Sequence, residues 1–310
     1  MAALNGAQAG ALSTTALTGL TLTQALSLTT TQLAGFNTTQ VAHLDANHVS
    51  LLNTTQLRAI SADGASGFTA TNIDYLNATQ IQSLTTAQIS ALSTTTVQSL
   101  DTTEIGALTS LQFASLASTQ ISALTSTQVA ALSSQQFNAL GTTQLGGLAE
   151  TQLPGLTTTQ ISGLTTTRLA ALSTSAMRGL TASQAATLSS TQVAALGTSR
   201  LAALSPTAVA AVAPDVISTL TVTQLAASDF AETWASALTA TQLDRLSATQ
   251  IGAMSSTLVS GLSADQIGVL NSSQFAALGA SQIGALSSSA IVGLTTTQID
   301  QLTLTQLAGL

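Results

Sequence analysis

Few side chains in this chain of 310 residues could carry chemistry, so those few are the place to start. His43 and His48 flank Asp45, the kind of grouping that can begin a metal site. Zinc needs three or four convergent ligands, and this cluster offers three at most, at an unsuitable spacing. Asp229, Glu232 and the single tryptophan, Trp234, gather in a second stretch that invites a site, but the reading preferred is a bulged repeat whose Trp fills a local gap. Asp63-Gly64 sits in Ser61-Ala62-Asp63-Gly64-Ala65-Ser66-Gly67, but one acid does not make a calcium loop, and the segment reads as a defect or hinge with glycine turns. Serine is abundant, yet there is no G-x-S-x-G elbow and no lysine for a phosphate loop. The expectation is a non-catalytic protein with no catalytic, cofactor-binding or metal residues and no cofactor.

Composition narrows the partners. Twelve acids stand against five arginines, a net charge of −7, which disfavours nucleic acid and anionic membrane. No cysteine is present, so neither disulfides nor thiolate chemistry enters. The longest strongly apolar run, Ala208 to Ala213, is far below the roughly 18 residues of a membrane span. The first residues lack a basic and then apolar leader, so no Sec signal is visible and export by another route is expected.

The residues that must position anything here repeat with a period of eight. From Leu4 to Leu220 every eighth residue is Leu, apart from Phe36, Ile60, Phe68 and Val212. A second apolar residue stands three before each, as at Ile81, Ile89, Val97, Ile105 and Phe113, giving a consensus L-T-T-T-Q-I-A-A. Spacings of five and three put the apolar residues on opposite faces of a strand. A continuous helix fails too, since eight residues overshoot two turns by roughly 80°. The helix therefore has to restart in each octad.

The restart is encoded as a capping box. Thr, Ser, Asn or Asp follows the Leu and Gln comes three later, as in Thr85 and Gln88, so cap oxygen and Gln carbonyl each take one orphan N–H. Asp45, Asn53, Asn77 and Asp101 keep the cap chemistry, and Glu104 replaces Gln behind Asp101. Leu before the cap and Ile after it form a hydrophobic staple, so Leu84 is expected against Ile89. Pro206 and Pro214 fall at the first helical position, where a missing N–H does no harm, whereas Pro154 lies deeper and breaks the rule. Arg58, Asp74, Arg178, Asp244 and Asp300 mark a solvated face.

A helix this short cannot stand alone, and burying a Leu and an Ile contributes about 1.5–3 kcal/mol each only when units stack. The fold class expected is all-α: a solenoid of about 38 stacked octads, running through 1–220, shifting register across 221–237, and continuing through 238–310. The octads show no odd-even alternation, so their number per coil stays open. Layers of two would give a rod on the order of 150–190 Å, and layers of four half that.

Units such as Leu156-Thr157-Thr158-Thr159-Gln160-Ile161-Ser162-Gly163-Leu164 resemble the L-T-T-x-Q-[IV]-x-x-L arrays of large, low-complexity bacterial surface or secreted proteins. That resemblance implies an extracellular filament, sheath or adhesin stalk. The repeat begins at Leu4 and runs to Leu310 without a polar cap, which leads to an expectation of head-to-tail self-association. The rival expectation is a surface binder, of ice, mineral or polysaccharide, through exposed Thr and Ser rows.

Overall fold

A computed structural model describes residues 4–227, 230 and 232–309. It is a helical solenoid of 37 short α-helices and one 3₁₀ turn among the described residues, each four to six residues long. Two compact units divide it, Met1–Leu148 and Ala149–Leu310.

Within one octad the chain is helical for about one and a half turns and then extends for two residues. Leu84 (φ −60°, ψ 140°) and its successor Thr85 (φ −74°, ψ 158°) are both extended, and together they turn the corner into the next helix, Thr86–Ala91. At that corner Thr85 Oγ1 accepts from Gln88 N–H at 3.2 Å, while Gln88 Oε1 accepts from Thr85 N–H at 2.7 Å. The capping box is thus formed as the sequence requires, and it recurs down the chain with Thr, Ser, Asn or Asp at its head. Where the cap is Ala117 or Gly141 the hydroxyl half is missing, but the Gln half persists at 2.7 Å in both.

Three octads make one coil, a number the sequence left open. In the first unit, helices Thr30–Ala34, Thr54–Ala59, Ala78–Ser83 and Thr102–Ala107 pack on one another in succession, each three octads after the last. The same step of three runs through the second unit, for example Ala182–Ala185 on Pro206–Ala211 and Ala264–Gly268 on Ser288–Ile291. Each coil is a triangle of helices whose Leu and Ile side chains fill its centre; Leu84, Ile89, Val97, Leu100, Ile105 and Leu108 are all buried. Arg58, Asp74, Arg178, Asp244 and Asp300 lie outside, exposed.

Stacking is tight enough to dictate glycine. A methyl group on Gly67 would come within 2.0 Å of the Thr38 carbonyl oxygen, and one on Gly179 within 1.9 Å of that of Glu150. No described glycine has positive φ, so glycine serves close approach here rather than a left-handed turn. This revises the reading of 61–68 as a hinge: the segment is an in-frame octad with a short helix, Ala62–Ala65, capped by Ser61 and pressed against its neighbour, and its turn at Gly67, whose N–H donates to the Gly64 carbonyl at 2.9 Å, has no positive φ. Pro206 and Pro214 open their helices as expected. Pro154 lies inside Glu150–Gly155, the octad that is 3₁₀ instead of α, because its nitrogen has no hydrogen to give to an α-helical bond.

Candidate functional site

The recurrent polar centre of the molecule is the glutamine of each octad, and its role is larger than capping. A short helix leaves unpaired N–H groups at its start and unpaired carbonyls at its end. Gln112 handles both. Its Oε1 accepts from the cap N–H of Thr109 at 2.8 Å, and its Nε2 donates to the carbonyls of Leu84 at 2.7 Å and Ile81 at 2.8 Å, one coil earlier. The acceptors are the corner Leu84, which ends the preceding coil's helix, and Ile81 within that helix, whose carbonyl also accepts from the Leu84 N–H at 3.1 Å. Gln40, Gln88, Gln136, Gln184, Gln274 and Gln298 repeat the pattern, donating to the residues 28 and 31 positions back. The result, within each unit, is a buried ladder of amides that ties successive coils together.

Substitutions in this slot reveal what it selects. Asn72 donates through Nδ2 to Leu44 at 3.0 Å, Thr96 through Oγ1 to Phe68 at 2.8 Å, and Arg200 through Nε to Leu172 at 2.7 Å. Each acceptor again lies 28 residues back. Arg168 occupies the slot too, and burial draws its guanidinium below the ordinary arginine value. Asn72, Thr96 and Arg200 share a donor that points back across the coil, whereas Ala176, Ala208, Leu258 and Ala290 fill the slot with apolar side chains that are buried.

Trp234 is the most informative case. It stands in the glutamine slot, is 2% exposed, and its indole N–H donates to the carbonyl of Leu201 at 3.0 Å. Phe230 packs against it with ring centroids 4.4 Å apart at 46°. The tryptophan is therefore the amide's replacement where the register slips. Across this stretch Gln242 and Gln250 reach back 30 residues, to Val212 and Leu220, and the spacing of 28 returns at Gln266 and Leu238. Asp229 lies outside the described residues, and nothing is described of the Glu232 side chain. A Trp234→Phe substitution keeps a ring but removes the donor, leaving the Leu201 carbonyl only the Leu204 N–H, so it is expected to cost about 1 kcal/mol. Urea unfolding followed by circular dichroism measures this, and an unchanged midpoint would mean that only ring packing matters.

The histidines do not converge. His43 is exposed, with Nδ1 2.8 Å from the carbonyl of Thr39. His48 is buried in the glutamine slot, and its Nδ1 has no hydrogen-bond partner. Asp45 accepts from the N–H of Asn47 at 2.8 Å, and that bond holds its carboxyl below the usual aspartate value. Among the described residues, no group of three or more His, Cys, Asp or Glu is placed to hold a metal ion, and no helix is long and apolar enough to cross a membrane.

Comparison with known families gives one finding that fits this geometry. The ALTTAQ repeat model matches residues 97–134 and 105–142, the stretch holding Gln112, Gln120, Gln128 and Gln136. A repeat protein of regularly recurring helical pieces is thus supported from both sequence and structure. No curated protein matches the chain.

Proposed function

We propose that the chain is a structural subunit of an extracellular or cell-surface filament, with no catalytic role, which associates head-to-tail with copies of itself. The observation that carries this reading is the generality of the joint between coils. It consists of amide N–H groups meeting backbone carbonyls over a Leu/Ile centre, so any coil of this design is a template for any other.

Negative-stain microscopy and sedimentation velocity of the 310-residue chain over a hundredfold range of concentration test the reading. Particles that lengthen with concentration are expected. Rods of one length at every concentration would overturn it.

A second reading rests on a different observation. Because the coil holds three octads, Thr31, Thr55, Thr79, Thr103 and Thr127 fall on the same helical position of successive coils, and all five are exposed. Such a row presents methyl and hydroxyl groups at constant pitch, a pattern suited to an ordered surface such as ice or a polysaccharide.

A further inference from the structure

Glu104 is the only acid standing in the glutamine slot of a described octad, and its surroundings are those of an amide. One oxygen, Oε2, accepts from the cap N–H of Asp101 at 2.7 Å, as glutamine's Oε1 does elsewhere. The other oxygen then takes the place of the amide nitrogen. Leu76, 28 residues back and therefore the residue whose carbonyl that slot serves, lines a cavity of about 220 Å³ together with Glu104, Asp101 and Asp74. Glutamines in neighbouring octads donate to that carbonyl position at 2.6–2.8 Å, as Gln112 and Gln128 do. A carboxylate has nothing to donate, and two oxygens facing each other repel. A neutral carboxyl restores the donor.

We infer that Glu104 is a proton-operated latch between two coils: protonated, it donates to the Leu76 carbonyl and completes the amide ladder; ionised, it leaves that joint open. The Asp101 N–H bond favours the ionised form, but burial outweighs it. Glu104 is 7% exposed, and burial is the largest cause that raises its pKa above the ordinary glutamate value of 4.5, followed by the charges of Asp101 and Asp74. The helices packed directly on Thr102–Ala107 from either side, Ala78–Ser83 and Ser126–Ala130, carry no titratable residue. Because the folded pKa lies above the unfolded one, the latch contributes its full stability below pH 4.5, and that contribution is lost as pH rises through the folded value.

The test compares the chain with Glu104→Gln, which carries the donor permanently, in thermal melts from pH 4 to 8. The variant is expected to melt about 2–4 °C higher at pH 8, with the gap closing toward pH 4.5. Taking the difference between the two chains at each pH cancels the titration of groups that are not coupled to Glu104, leaving its own and that of its neighbours Asp101 and Asp74. In parallel, carbon-13 NMR of glutamate-labelled protein follows the carboxyl resonance that the variant lacks, and its midpoint is expected above 4.5. A gap that stays constant with pH, a variant less stable than the parent at pH 8, or a midpoint at or below 4.5 would each overturn the inference.

Discussion

Replacing Gln112 with leucine is expected to destabilise the first unit by about 3 kcal/mol, while the same change at Gln8 costs no more than about 1 kcal/mol. The two glutamines make the same local box: Gln112 accepts from Thr109 N–H at 2.8 Å and Gln8 from Asn5 N–H at 3.0 Å. They differ in what lies behind them. Gln112 is buried and donates to three carbonyls one coil back, those of Leu84, Gln82 and Ile81, whereas Gln8 is exposed and only its local box is formed. Leucine fits the volume but strands the Leu84 carbonyl at a desolvation cost of roughly 1–3 kcal/mol, and it removes a second donor from Ile81, whose carbonyl keeps the Leu84 N–H. Denaturant unfolding monitored by circular dichroism gives both values. Equal losses at the two positions would reduce the glutamine to a helix cap and remove the ladder as the source of cohesion. Gln112→Glu extends the comparison, since it should weaken the unit at pH 8 and recover on acidification, as expected of Glu104.

What could be read from the chain alone follows from where each interaction closes. The octad, its cap and its apolar pair close within eight residues, so Thr85, Gln88, Leu84 and Ile89 announce them directly. The number of octads per coil depends on contacts 24 or more residues apart, and no local propensity encodes it. The second half of glutamine's work was hidden for the same reason, because its acceptor lies 28 residues back.

A clue to that second half does exist in the sequence. A capping box accepts Glu as readily as Gln, yet the slot holds Gln in most octads and Glu at position 104 alone, a preference that fits donating as well as accepting, although Ala176, Ala208 and Leu258 show octads that do without a donor. Thr96, Asn72 and Arg200 then stop being irregularities, since each supplies a donor. Trp234 invited a site reading because tryptophan is rare here, but its indole N–H and Phe230 stacking show a coil being closed around a two-residue shift in register.

A coil held this way should also respond sharply to a cavity. Phe113→Ala is expected to cost about 3–5 kcal/mol, against less than about 0.5 kcal/mol for Leu111→Ala two residues away. Phe113 is 0% exposed, whereas Leu111 is 76% exposed and buries little that truncation could release. Collapse onto the void is hindered, because the helix Ser110–Ala114 is fixed at its start by the Thr109 box and tied to the previous coil by Gln112. In a stack where each unit meets only its neighbours, the damage should also stay local. Hydrogen exchange is expected to quicken in Thr86–Ala91 and Ser134–Ala139, the helices packed on either side, and to remain unchanged in Thr14–Thr18. Loss of protection spreading evenly through the whole unit would instead mean that the coils unfold as one cooperative body, and the nearest-neighbour description would have to be abandoned.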